Sequence, residues 1–179
     1  ALITKANLSE SNTYYAQGGI AAVYQNTEDS LQYHTADTLA AGDALCNVDA
    51  VEYIISQGAN SIEYLLSQGV PFDYDQNAKL ACGMEGGHSK ARIYHSGDQT
   101  GAAIVSALLK TLKSYPQISI FEEHTAINLI TQIQSDVNEV IGAYIFDEKS
   151  NLIHTFFSKV LVLATGGAGR VYRYTSNPS

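Results

Sequence analysis

The sequence predicts an α/β chain with α+β character, on three observations. Apolar residues recur at helical spacing in three segments before Pro116. From Ile118 onward, four runs rich in β-branched and apolar residues alternate with turn-forming stretches, among them Asp136-Val137-Asn138 and Glu148 to Asn151. The chain also opens on a strand-like Ala1-Leu2-Ile3-Thr4-Lys5. Helices followed by strands predict an α+β insertion carried on a parallel sheet.

Residues 29–42 carry Leu31, Thr35, Thr38 and Leu39 at helical spacing, and Gly42 is a natural stop. Asn47 is a good N-cap for the next helix. There Val48, Val51, Ile54, Ile55, Ile62, Leu65 and Leu66 keep one helical face, which is expected in the core, before Gly69 and Pro71 end it. Residues 72–84 are polar and irregular, a short excursion or hairpin. Asp98 is expected to cap a third helix bearing Ile104, Val105, Leu108, Leu109 and Leu112. Strands are predicted over 118–123, 125–133, 140–146 and 152–163.

With 179 residues, 45% of them hydrophobic and 16% charged, the chain suits one folded domain. Its net charge of −8 and the lack of any Lys/Arg cluster exclude a nucleic-acid footprint. Cys46 and Cys82 form no Cys-x-x-Cys pair and read as two buried thiols in a reducing compartment. No apolar run reaches membrane-spanning length and no signal peptide is visible, so the cytoplasm is the expected location. There is no initiating Met and no Gly-x-Gly-x-x-Gly loop before the first strand, so the chain is expected to be an internal fragment of a larger protein.

One stretch organises the chemistry. Ser11-Asn12-Thr13-Tyr14-Tyr15-Ala16-Gln17-Gly18-Gly19 is followed by small residues suited to a packed helix start. Paired glycines let backbone approach a large flat ligand, while Ser, Asn, Thr and Gln side chains and bare N–H groups supply donors. For the paired glycines alone, a turn between two elements is the favoured reading. Glu85-Gly86-Gly87-His88-Ser89 carries an acid beside paired glycines, though a surface loop is where most glutamates sit. Gly166-Gly167-Ala168-Gly169 follows a strand, but its spacing fails the dinucleotide fingerprint, because Tyr172 stands where the third glycine belongs. His88 and His95 lack zinc spacing, there is no His-Glu-x-x-His, and Ser89 lacks a triad context, so neither a metal site nor a hydrolase is expected.

Ser11 to Ala22 closely resembles the flavin-contacting segment of the L-aspartate oxidases, relatives of the succinate dehydrogenase and fumarate reductase flavoproteins. The resemblance runs in order along the chain. Ala1 to Lys5 is similar to the end of the second strand of that family's dinucleotide-binding fold. Glu85 to Ser89 with Arg92-Ile93-Tyr94-His95 is similar to its substrate-side loop. Asp98-Gln99-Thr100-Gly101 is similar to the helix start that follows, and Val160 to Gly167 to the strand returning to the flavin.

The resemblance implies part of a Rossmann-like FAD-binding domain over residues 1–179, without its phosphate loop and capping domain. It implies FAD contacts at Lys5, Asn12, Thr13, Tyr14, Tyr15, Ala16, Gln17, Gly18, Gly19, Thr125, Ala126, Thr165 and Gly166. FAD should be held non-covalently, because Asn12 stands where the succinate dehydrogenase branch carries its flavin-linked histidine, and weakly by this stretch alone. Glu85 is the implied catalytic residue, pairing with the substrate ammonium and accepting a proton, while His88, His95 and Arg92 have supporting roles. The implied reaction is oxidation of L-aspartate to iminoaspartate, with oxygen or fumarate as acceptor, feeding quinolinate and NAD synthesis and bringing quinolinate synthase in as a partner. The rival readings are a fumarate reductase or succinate dehydrogenase flavoprotein, and a noncatalytic nucleotide-binding or interaction module.

Overall fold

The computed structural model describes residues 1–25, 28–134, 136–167 and 169–175. The chain divides into two compact units, Thr13–Ser114 and the combination of Ala1–Asn12 with Tyr115–Ser179.

In the Thr13–Ser114 unit the elements run β2 (Ile20–Ala21), α1 (Leu31–Ala41), α2 (Val48–Ser56), α3 (Gly58–Ser67), β3 (Cys82–Gly83), β4 (Ile93–Tyr94) and α4 (Thr100–Leu112). Strand β4 is central and antiparallel to both neighbours, with Tyr94 opposite Ile20 on one side and Cys82 on the other. Ala22, Ile62, Val70, Phe72, Leu80, Tyr94, Ile104 and Ala107 form the core behind this sheet. The buried Tyr94 hydroxyl donates to the Tyr24 carbonyl, and burial pushes its pKa up to about 12.

Local signals set the helix ends that the chain makes by itself. Asn47 Oδ1 accepts from Ala50 N at 2.9 Å, as its capping chemistry predicts, and Gly42 ends α1. Ser30 caps α1 through its hydroxyl. Four expectations are corrected. Ile20 and Ala21 form a strand rather than leading into a helix, because their backbones pair with β4. The long second helix divides at Gln57 into α2 and α3, where a Cβ on Gly58 would sit 3.2 Å from the Ala22 side chain. Val48 and Ile54 leave the core, at 48% and 68% exposed. Gln99, not Asp98, occupies the α4 cap position and makes no side-chain bond there; Thr100 Oγ1 instead accepts from Ser96 N.

Residues 72–84 do make a small hairpin, with a Tyr74–Leu80 bridge, yet Phe72 and Leu80 are core residues. Cys46 and Cys82 are free thiols, each partly exposed rather than fully buried.

In the other unit, β1 (Leu2–Ile3) pairs in parallel with β5 (Ile120–Phe121), and β6 (His124–Gln134), β7 (Val137–Asp147) and β8 (Leu152–Phe157) form an antiparallel meander. Ala143 and Ile145 are buried on β7, and Phe121 meets Phe156 edge-on at 5.0 Å. Strand β7 begins at Val137, so the connection to β6 is tighter than the predicted turn over 136–138. The last predicted strand stops at Phe157: residues 161–167 have no regular structure, and Val160, Val162 and Leu163 are exposed. Their apolar run fits a strand buried on both faces, and among the described residues no strand pairs with it. A 3₁₀ turn at Gly169–Val171 follows.

Candidate functional site

The Thr13–Ser114 unit brings the glycine segment, the Glu85 loop and the start of α4 together. Thr13 to Gly18 is exposed, while Gly19 begins to enter the sheet. Ala16 N donates to Thr13 O at 3.1 Å, closing a turn, and Gly101 N in the first turn of α4 donates to Ala16 O at 3.0 Å. A Cβ on Gly101 would overlap the Thr13 carbonyl, so glycine is what lets the helix start press against this turn. Gly19 is fixed in the same way by the Tyr94 carbonyl and the Ile93 side chain. At Gly18, by contrast, a Cβ would meet only the Glu85 carboxylate, 3.8 Å from Oε1 and 3.9 Å from Oε2.

Glu85 therefore faces the glycine segment. Its loop is built as a tight turn: His88 N donates to Glu85 O at 3.3 Å, with Gly87 in the left-handed region at φ +84°. Met84, Glu85, Gly86 and Gly87 are all exposed, so this turn has no apolar anchor of its own.

Its anchor is polar. Arg92 is completely buried and grips Asp29 in two parallel bonds, Nε to Oδ2 and Nη2 to Oδ1, both 2.7 Å. Its Nη1 reaches Asp37 Oδ2 at 2.5 Å and His88 Nδ1 at 3.2 Å. The same Asp37 oxygen accepts from Ser89 N and Ser89 Oγ, both at 2.8 Å. The Ser89 backbone N–H first, and then Arg92, hold the Asp37 carboxyl down at about 2. Burial pushes Asp29 upward, but the Arg92 and Ser30 bonds prevail and its pKa falls. His34, 7% exposed, packs against His88 at 5.8 Å; its pKa is lowered by burial, then by the charges of Arg92 and His88, and its Nδ1 has no hydrogen-bond partner.

His95 lies apart from this cluster in partnership. Its Nδ1 bonds Asp73 Oδ2 at 2.8 Å, and that carboxylate also accepts from Gly97 N, which, ahead of His95, lowers the Asp73 pKa. This arrangement fixes the turn into α4. Among the described residues no group of acids, histidines and cysteines could hold a metal ion.

The remaining sequence-predicted positions belong to the other unit. Lys5 is exposed just after β1, and Thr4 links that strand onward through His124 N. Asn12 is exposed, with its Nδ2 3.9 Å from the Cβ position of Gly166, itself at φ +73°. Thr165 and Gly166 are exposed in irregular backbone; Ala168 lies outside the described residues. Thr125 and Ala126 start β6 opposite Phe146 and Ile145, and Thr125 Oγ1 donates to Glu148. Sequence reasoning gave Arg92 a supporting role at the substrate loop, whereas its buried guanidinium is taken up by Asp29 and Asp37, and it missed Asp29, His34 and Asp37. The one signal available was an arginine placed directly before the apolar β4.

An exposed, donor-rich backbone segment, stripped of side-chain bulk at Gly18 and faced by a carboxylate, defines a domain shaped to hold a flat cofactor. The FAD binding domain family matches residues 1–179, and the chain belongs to that family. It is 44% identical to the L-aspartate oxidase of Acinetobacter baylyi over 183 residues, covering 99% of this chain and 33% of that protein. It is 42% identical to the chloroplastic L-aspartate oxidase of Arabidopsis thaliana, covering 99% of this chain and 27% of that one. The chain thus spans between about a quarter and a third of the length of these curated relatives. Among solved structures it is similar to a mutant FrdA of E. coli quinol fumarate reductase, at TM-score 0.88 and 33% identity over 99% of this chain and 29% of that one. The Mycobacterium smegmatis Sdh1 complex is similar at TM-score 0.86 and 28% identity, over 98% of this chain and 31% of that one. No described helix is long and apolar enough to cross a membrane.

Proposed function

We propose that the chain is the flavin- and substrate-facing part of an L-aspartate oxidase, oxidising L-aspartate to iminoaspartate with oxygen or fumarate as acceptor. The observation that carries this reading is the Glu85 carboxylate set against Gly18 of the glycine segment, within 4 Å of its Cβ position. The similarity to L-aspartate oxidases along nearly the whole chain supports it. The wider reading includes quinolinate and NAD synthesis, quinolinate synthase as a partner, and a cytoplasmic location. The domain reading is a partial FAD-binding domain over 1–179, completed by a phosphate loop and a capping domain elsewhere in the protein.

The residues present fit FAD. The open face at Gly18 is a cradle that a Cβ would narrow, and the exposed Thr13–Gly18 backbone with the Gln17 amide offers donors to ring or phosphate oxygens. Lys5, Asn12, Thr125, Ala126, Thr165 and Gly166 are the further proposed FAD contacts. FAD supplies the acceptor for the electron pair that leaves the substrate. Glu85 supplies the acid–base part: its carboxylate pairs with the substrate ammonium, orients it and takes a proton onto a carboxylate oxygen. The space beside Gly86 and Gly87 is open, since a Cβ on either would meet nothing within 4 Å.

The fumarate reductase reading is the second, and the structural neighbours are consistent with it without favouring it. It gives Glu85 no ammonium to bind. The deciding experiment is anaerobic titration of the full-length protein with L-aspartate and, separately, with succinate. Flavin bleached by L-aspartate and not by succinate supports the oxidase; the reverse refutes it.

A further inference from the structure

The cluster behind the Glu85 loop is larger than charge neutralisation needs. A buried arginine must be paired, and the bidentate contact with Asp29 already does that. Asp37 adds something else. It stands on α1, and one of its oxygens gathers Arg92 Nη1, Ser89 N and Ser89 Oγ. Arg92 also donates to His88 Nδ1. Because arginine only donates, that ring nitrogen accepts when the ring is neutral, with the ring proton on Nε2. His88 in turn closes the turn onto the Glu85 carbonyl. Two branches of hydrogen bonds thus leave buried Arg92, one through Asp37 to Ser89 and one to the His88 ring, and the His88 backbone N–H closes on the carbonyl of exposed Glu85.

We propose that Asp37 and Arg92 are positioning residues for Glu85: they clamp the far end of the turn so that its first residue faces Gly18. This rests on the reading of Glu85 as the partner of the substrate ammonium. Buried ion clusters are poor sources of net stability but hold one arrangement against others. The glycine turn has few constraints of its own, so this polar clamp selects its conformation.

The test is a double-mutant cycle in the full-length, FAD-loaded enzyme with D37N, E85Q and D37N/E85Q. Each is measured for kcat and KM with L-aspartate, and for fumarate reduction by pre-reduced enzyme. Asparagine is nearly isosteric and can still accept, so the fold should survive. The expected result is a roughly 10- to 100-fold loss of kcat/KM for L-aspartate in D37N, the scale of a small misplacement of a reacting group. Fumarate reduction should stay near normal, and the double mutant should be no worse than E85Q alone. If D37N loses FAD, S89A with S89A/E85Q repeats the cycle at an exposed residue, with a smaller loss of the same selectivity expected. Losses that multiply in the double mutant, or that fall equally on both half-reactions, overturn the positioning role. Unchanged L-aspartate turnover in E85Q removes the reading of Glu85 and the proposal with it, a result distinct from multiplied losses.

Discussion

Gly101, in the first turn of α4, lies so close to Thr13 that a Cβ there would overlap the Thr13 carbonyl, and its N–H donates to Ala16. The helix start and the glycine segment are therefore one packed piece. A ligand laid on the segment rests on a helix, not on a free loop. Replacing Gly101 by Ala should force the segment outward. The expected cost is about 1–3 kcal/mol, the usual penalty of overpacking. Thermal unfolding with and without added FAD checks this, and the variant should also bind FAD more weakly. A variant with unchanged melting and FAD affinity would show the contact to be easily relaxed.

The Asp37 carboxyl is held at about 2 against an ordinary 3.8. A group with a depressed folded pKa adds stability that is fully present above its unfolded pKa and lost as pH falls through the folded one. The stability difference between parent and D37N should therefore shrink as pH drops from 3.8 toward 2. Urea unfolding across that range measures it. A constant difference would remove the carboxylate from the account.

His34 gives a second window. Its pKa is lowered from 6.5, first by burial and then by Arg92 and His88. The unfolded chain takes up a proton that the folded chain refuses, so stability is complete above 6.5 and falls as pH drops below it. In an H34Q variant this acid-side slope should flatten. The same unfolding series, carried to neutral pH, reads it, and an equal slope in both proteins would contradict it.

Asn12 carries an amide where the succinate dehydrogenase branch is expected to carry a flavin-linked histidine. FAD should therefore leave the full-length protein on mild denaturation. Flavin fluorescence remaining with the denatured band on a gel would refute non-covalent binding.

What could be read from the sequence follows the range of the interaction. Asn47, Gly42 and the β6–β7–β8 meander were legible because caps, stops and strand patterns are local. The division of α2 from α3 was not, because its partner is Ala22 in a different element. Nor was β2, whose two residues owe their conformation to pairing with β4. The apolar Val160–Leu163 run reads as a strand, yet strand geometry requires a neighbour, which the described residues do not provide. At the candidate site, the glycine segment and Glu85 were visible as motifs. Arg92 and Asp29 lie 63 residues apart, and nothing in either segment points to the other.

The central claim is that Glu85 serves the substrate's ammonium group. The direct measurement is the E85Q substitution in full-length enzyme, with both half-reactions followed on one preparation at equal FAD loading. Glutamine keeps the shape but cannot take the proton, and loss of a general base costs about 10²–10⁴ in rate. L-aspartate oxidation should collapse on that scale, while fumarate reduction by pre-reduced enzyme, which involves no ammonium, should fall far less. Equal losses in the two directions would assign Glu85 to loop geometry, and undiminished L-aspartate oxidation would take it out of the site.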